Sequence, residues 1–369
     1  MTEHIPFFSA EAANARIDPQ SSFARVLASH WYVMGKEVAN FERAFAAYCG
    51  VAHCIGLANG TDALELALRA VGAGSGGQVL LAANAGFYGS TAINLVGARP
   101  LYVEVSASSL TLDPRFVAKA LQKYRPQAII VTHLYGQLAA VREIAVLARQ
   151  HGVALIEDCA QSHGALCDGQ RAGSFGDIGC FSFYPTKNLG AMGDGGAVVC
   201  RDADLAARVL ALRQYGWGRK YHNELPLGRN SRLDELQAAV LNDKLPMLDA
   251  DNQRRRDIAR YYQTAFAGLP LGLPSSTGDD YVAHLYVVRT PRREALRVFL
   301  TDRGIACDVH YPVPDHLQPA CAEPGRVGDL PETENACATV LSLPCYPGLP
   351  EPAMERVAIA VRAFFAIAA

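Results

Sequence analysis

The sequence predicts an α/β chain: a large unit on a mostly parallel central sheet flanked by helices, then a smaller C-terminal α/β unit. Three observations predict this. Short apolar runs alternate with helical runs through the first half of the chain. A long helical pattern follows, and after Pro274 a new strand-like run begins. Half of the 369 residues are hydrophobic, enough for a sizeable core.

Taken in order, strands are expected over 78–83, 99–105, 127–133, 153–157, 179–184 and 196–200, with helices over 62–71, 114–123 and 140–150. Gln78-Val79-Leu80-Leu81 follows the glycine-rich Gly72-Ala73-Gly74-Ser75-Gly76-Gly77. That run has the letters of a dinucleotide fingerprint, but it follows a helix and precedes a strand, the reverse of what the fingerprint needs, so it reads as a helix-ending loop. Val153-Ala154-Leu155-Ile156 is continuous apolar chain followed by Glu157 and Asp158, as in a buried parallel strand. Cys167-Asp168-Gly169-Gln170 is a hairpin turn. A helical pattern runs from about Leu233 to Phe266 and breaks near Pro246, where the division into 1–245 and 246–369 is expected. Ala283–Arg289 reads as a strand and 292–303 as a helix.

Composition excludes several classes of function. A net charge of −2 gives no electrostatic reason to bind nucleic acid or an anionic membrane. No apolar run approaches the roughly 20 residues that span a bilayer. Met1-Thr2-Glu3-His4 does not resemble the start of a signal peptide. The ten cysteines include no Cys-x-x-Cys pair and sit mostly in apolar contexts, such as Cys54, Cys159, Cys180 and Cys200. That suits reduced thiols in a cytoplasm rather than disulfides or a metal site. Asn59-Gly60-Thr61 spells a glycosylation site that a cytoplasmic chain would not use.

Chemistry enters with Lys187, in Ser182-Phe183-Tyr184-Pro185-Thr186-Lys187-Asn188, ahead of Gly190, Gly193, Gly195 and Gly196. Most lysines are solvated surface charges, with a pKa of about 10.4. Burial among Phe181, Phe183 and Tyr184 would favour the neutral, nucleophilic amine. Upstream, Asp158 ends a buried strand, and in an open α/β sheet the carboxyl ends of strands are where ligands bind. It could cap the next helix, or hold a ring nitrogen protonated. Asn59-Gly60-Thr61-Asp62 opens the amphipathic run Ala63-Leu64-Glu65-Leu66-Ala67-Leu68. With Gly60 at a turn and Thr61 as cap, the free N–H groups would suit a phosphate. A lysine for the carbonyl, an acid for the pyridinium and a phosphate cup are the requirements of pyridoxal 5'-phosphate.

With these runs the chain resembles the DegT family of sugar aminotransferases, a branch of the fold-type-I pyridoxal phosphate enzymes. The matching runs are Asn59–Leu64, His133–Gln137, Ile156–Asp158, Phe181–Gly190, Gly193–Gly196, Asn230–Gln237 and His310–Pro312. The resemblance implies that Lys187 carries the cofactor as a Schiff base and moves a proton, and that Asp158 pairs with the pyridine nitrogen. It implies that Gln161 contacts the phenolic oxygen, that Tyr88 stacks on the ring, and that Gly60, Thr61 and Ser182 hold the phosphate. Phe87 stands where the family commonly has threonine. Asn230 is implied to reach the phosphate of a neighbouring subunit, making a homodimer with shared sites. His163 reads as a structural histidine.

The resemblance also implies amino transfer from L-glutamate to a keto sugar on a nucleotide diphosphate, in deoxyamino-sugar or polysaccharide biosynthesis. Tyr215–Tyr221 and His310–Pro314 resemble the branch acting at C3 of thymidine diphosphate 3-keto-6-deoxyhexoses, with Tyr184, Lys220, His310 and Tyr311 lining the sugar pocket. The 4-keto, cyclitol and aminobenzoate branches stay open, as does a non-catalytic regulator. A dehydratase on this scaffold lacks the lysine.

Overall fold

A computed structural model describes residues 4–321 and 325–367 of the chain. Residues 1–3, part of the N-terminal reading, lie outside that range. The main sheet has eight strands. Seven are labelled here: β1 (His53–Leu57), β2 (Gln78–Leu81), β3 (Arg99–Tyr102), β4 (Ala128–Thr132), β5 (Ala154–Asp158), β6 (Ile178–Ser182) and β7 (Gly196–Cys200). Their order is β1-β7-β6-β5-β4-β2-β3, with the short Gly325–Arg326 strand beyond β3. All neighbouring pairs are parallel except the two that β7 makes, with β1 and with β6. The expected strands are therefore present, and β1 is an addition.

Strand side chains alternate faces, and the core follows that period. Leu80, Ile129, Val131, Leu155 and Val199 pack in one buried cluster, while Val79, Leu81, Ile130, Ile156 and Val198 pack in another. Both faces are apolar because helices cover both. The Gly60–Ala70 helix contributes Ala63, Leu64, Leu66 and Leu68 to the second cluster, and Phe41 and Phe45 of the Lys36–Cys49 helix enter the first.

The 167–170 turn joins Leu166–Cys167 to Gln170–Arg171 in a hairpin, with Asp168 and Gly169 at φ 49° and 76°. Positive φ at both central residues matches the twist of the flanking strands. The helical pattern from Leu233 breaks as expected: a helix over Glu235–Lys244, a 3₁₀ turn over Leu245–Met247 containing Pro246, and a helix over Leu248–Ala265. A third cluster gathers Ile258, Tyr262 and Phe266 with Tyr286, Val288, Leu300, Leu341, Val357 and Val361. The expected strand over 283–289 is shorter: only Tyr286–Arg289 pairs, antiparallel, with Val340–Leu343. The reason is competition for the backbone, since Val282 N–H donates to Gly136 O and Leu285 N–H to Tyr135 O. Among the described residues no helix is long and apolar enough to cross a membrane.

Candidate active site

The carboxyl ends of β4, β5 and β6 and the N-terminus of the Gly60–Ala70 helix surround a cavity of about 510 Å³. Asp158, Gln161, Gly60, Thr61, Tyr88, Ser182, Tyr184 and Lys187 line it, joined by Asn59, Thr132 and Asp194, which the sequence did not single out.

Asp158 is the last residue of β5, opposite Thr132 on β4 and Cys180 on β6. Its carboxylate accepts from Thr132 Oγ1 at 3.2 Å and from Ala160 N–H at 3.1 Å. Burial pushes its pKa up, while Ala160 N–H, the Lys187 cation and Thr132 pull it back.

Lys187 sits in the loop after β6, with its N–H donating to Tyr184 O at 2.8 Å. Its neighbour Asn188 donates to Asn252 Oδ1 and Val282 O, and Lys244 donates to Gly190 O at 2.8 Å. These bonds pin the loop from the C-terminal side. Lys187 keeps partial exposure to the cavity, but the protein around it desolvates the ammonium and lowers its pKa to about 8, against the opposing pull of Asp158.

The helix entry differs from expectation in one respect. Asn59, not Thr61, is the N-cap: its Oδ1 accepts from Asp62 N–H at 2.8 Å. Asn59 is extended at φ −166° and ψ 174°, which starts the helix at Gly60 and puts Thr61 inside the first turn. The N–H groups of Gly60 and Thr61 thus lack helical acceptors, with the hydroxyls of Thr61 and Ser182 lining the same cavity. A Cβ on Gly60 would come within 2.7 Å of Ser182 Cβ, and one on Gly196 within 2.3 Å of Asn59 O. Only glycine lets these segments close around the helix end.

Tyr88 is the first residue of its helix and is 52% exposed. Phe87, at the N-cap with φ 69°, makes no side-chain cap. The cap comes from far along the chain: Asp315 accepts from Phe87 N–H at 2.9 Å and from Ser90 Oγ at 2.7 Å. Tyr88 meets the edge of Tyr311 with ring centroids 6.0 Å apart. Gln161 Nε2 donates to Tyr311 Oη at 3.1 Å, and its Oε1 accepts from Tyr135 N–H at 2.6 Å. The site therefore joins both parts of the chain.

His133, Glu157 and Cys159 lie buried together just behind the cavity. Glu157 accepts from Gly173, Phe175 and Gly176 N–H and meets His133 Nε2 at 2.9 Å. His133 Nδ1 accepts from Ala139 N–H at 3.1 Å, which fixes the proton on Nε2. His163 is fully buried beside Phe181 and Phe183. Burial drops its pKa to about 3. A neutral ring in the core matches the structural reading.

Tyr184, His310 and Tyr311 line a second cavity of about 300 Å³ that meets the first at Lys187. His310 stacks on Phe7 at 5.6 Å and its Nδ1 lies 2.9 Å from Ser342 Oγ. Lys220 and Asn230 line neither cavity. Both are exposed, on a segment whose Trp217–Arg219 and His222–Asn223 strands form a hairpin and whose Tyr221 and Leu227 are 78% and 70% exposed.

The sequence from residue 15 to 362 matches the model of the DegT/DnrJ/EryC1/StrS aminotransferase family. It is 46% identical to the Streptomyces venezuelae dTDP-3-amino-3,4,6-trideoxy-alpha-D-glucose transaminase, over 98% of this chain and 96% of that one. It is 45% identical to the Aneurinibacillus thermoaerophilus dTDP-3-amino-3,6-dideoxy-alpha-D-galactopyranose transaminase, over 98% and 99%. Among solved structures, S. venezuelae DesV in complex with ketimine intermediate superposes with a TM-score of 0.94 at 46% identity, over 98% of this chain and 99% of that one.

Proposed function

This chain belongs to the DegT/DnrJ/EryC1/StrS aminotransferase family; from that premise we propose that it binds pyridoxal 5'-phosphate and transfers an amino group from L-glutamate to C3 of a dTDP-linked 3-keto-6-deoxyhexose. One observation carries the reading. A lysine amine tuned to about 8, a buried strand-end carboxylate and a helix N-terminus whose Gly60 and Thr61 N–H groups lack helical acceptors line a single cavity. That donor set fits a phosphorylated pyridine aldehyde. Gly60, Thr61 and Ser182 would hold the phosphate, Asp158 the ring nitrogen, Gln161 the phenolic oxygen, and Tyr88 the ring face.

When bound, the cofactor supplies a carbonyl for amines and a protonated ring that draws electrons from the bond to be broken. The protein's own groups do the rest. Burial lowers the Lys187 pKa to about 8, so its amine both accepts and returns a proton, the condition for general acid–base work. Asp158, at the end of its strand in the same cavity, would hold the ring proton. Gln161 Nε2 donates to Tyr311 Oη, which ties the two residues together at the site.

The choice of a C3 keto sugar is supported by the two relatives, both named as transaminases of 3-amino sugars on dTDP. Tyr184, His310 and Tyr311 face the space next to Lys187, where the sugar ring would lie. The exposed Lys220 and Asn230 belong, in this reading, to the site of a second copy, so the working unit is a homodimer. The division near residue 246 and a cytoplasmic location, where ten unpaired cysteines stay reduced, complete the proposal.

The test is a panel of dTDP-linked 3-keto and 4-keto sugars with L-glutamate, followed by NMR assignment of the aminated carbon. Amination at C3 supports the reading. Amination of 4-keto sugars alone overturns it.

A further inference from the structure

Tyr88 lines both cavities and is half exposed, so the backbone beneath its side chain has to decide where the ring sits. That backbone is unusual. Gly86 and Phe87, the two residues before it, have φ of 79° and 69°. A left-handed turn suits Gly86, but at an aromatic residue such as Phe87 it is strained and persists only where the surroundings hold it.

One short stretch of the C-terminal part supplies that hold. Tyr311 covers Gly86 so closely that a Cβ there would come within 2.8 Å of its ring. Four residues later, Asp315 grips the same segment at three points. Its own N–H donates to Ala83 O at 2.7 Å, and its carboxylate accepts from Phe87 N–H at 2.9 Å and from Ser90 Oγ at 2.7 Å. Asp315 is 1% exposed. The carboxylate's two partners are an amide and a hydroxyl. Ser90 Oγ in turn lies 2.9 Å from Tyr102 Oη on β3, which ties the grip to the central sheet.

We propose that Asp315 is a positioning residue for Tyr88: by holding Phe87 in its left-handed turn it sets the Tyr88 ring over the cavity. The inference rests on the reading that Tyr88 faces the ring of the bound cofactor, and it adds what fixes that face. Geometry, not charge, is what Asp315 contributes here. Asparagine should therefore replace it, with Oδ1 accepting from Phe87 N–H and Nδ2 donating to Ser90 Oγ, whose hydroxyl turns to suit.

The test is a double-mutant cycle in which pyridoxal 5'-phosphate is titrated by absorbance into the cofactor-free chain. Tyr88→Ala should weaken binding about fivefold, the worth of one ring contact. Asp315→Ala should weaken it by about the same factor, because a misplaced ring contributes little more than an absent one. In the Tyr88→Ala background Asp315→Ala should cost nothing further, since residues that act through one contact are not additive. Asp315→Asn should bind as wild type does. Should Asp315→Ala not fold, Ser90→Ala, which removes one of the two side-chain bonds, takes its place in the cycle; its smaller loss should again require Tyr88. If wild type does not bind saturably, or Tyr88→Ala binds as tightly as wild type, the cofactor reading of the site fails and takes the proposal with it. If Tyr88→Ala weakens binding but the Asp315 or Ser90 variant does not, or does so equally without Tyr88, that reading stands and the proposal is overturned. Loss in Asp315→Asn as large as in Asp315→Ala also overturns it.

Discussion

Replacing Glu157 by glutamine should destabilise the protein strongly, although the two side chains have the same shape. Glu157 receives four donors: Gly173 N–H at 2.9 Å and His133 Nε2 at 2.9 Å on one oxygen, Phe175 and Gly176 N–H at 2.7 Å each on the other. Glutamine presents one oxygen and one NH₂. In either orientation two donors face a donor. His133 cannot relieve this by moving its proton, because Nδ1 is already an acceptor for Ala139 N–H. Each buried hydrogen bond to a charged group is worth about 1.5–3 kcal/mol. Two lost bonds amount to roughly 3–6 kcal/mol, partly offset because the charge need no longer be desolvated. A net loss of about 2–4 kcal/mol is expected, a large part of a stability of about 5–15 kcal/mol. Urea unfolding followed by circular dichroism measures it. The loss should reach the site as well, since Asp158 is adjacent and its carbonyl accepts from His133 N–H at 3.1 Å. Cofactor affinity, read by absorbance titration, should fall with stability. An unfolding free energy within about 1 kcal/mol of wild type would refute the reasoning.

Asp315 is predicted to act in the opposite sense. Burial raises its pKa from 3.8 to about 6, so the stability it contributes is complete below the unfolded value and is lost as pH rises through 6. Asp315→Asn should therefore be at least as stable as wild type at pH 7, by up to about 3 kcal/mol, with the advantage vanishing near pH 4; a variant less stable at pH 7 contradicts this. In Asp158→Asn the charge that supports the Lys187 ammonium is gone, so the lysine pKa should fall below about 8. The pH dependence of Lys187 acylation in the cofactor-free chain reads this, and an unchanged value argues against close pairing. Mixing Lys187→Ala with Asn230→Ala chains should restore part of the activity, because some hybrid dimers regain one intact site. No recovery, once subunit exchange is demonstrated, speaks against a shared site.

The parts of the site legible in the sequence are those carried by short local runs. Asp158 ends an apolar strand, Lys187 follows β6 in an aromatic, glycine-bounded loop, and Gly60 opens an amphipathic helix. Each could be placed because strand and helix periods fix where a run ends. Thr61 reads as the cap from the sequence, and the extended backbone angles at Asn59, two positions earlier, move the cap there. Strand β1 escaped notice because His53–Leu57 is short and contains Gly56. The shortened 286–289 strand reflects hydrogen bonds to Tyr135 and Gly136, which no local pattern announces.

Long-range contacts were invisible for the same reason. Asp315 caps Phe87 across 228 positions, and Arg255 reaches the carbonyl of Cys345 across 90. Departure of Phe87 from the usual residue was a usable signal, since a helix start without a local cap needs one from elsewhere. Lys220 and Asn230 remain apart from the cavity of their own chain, and one chain's sequence does not say where a second copy sits.

The central claim, that Lys187 is the covalent anchor of pyridoxal 5'-phosphate, is tested most directly by borohydride reduction of the loaded protein followed by peptide mass spectrometry. Reduction makes the carbonyl–amine linkage permanent. The account predicts that the added mass falls on the peptide carrying Lys187, and that Lys187→Ala, still folded, acquires none. Stoichiometric label on Lys244, a buried lysine whose pKa is likewise lowered to about 8, or on any lysine but Lys187, would contradict it.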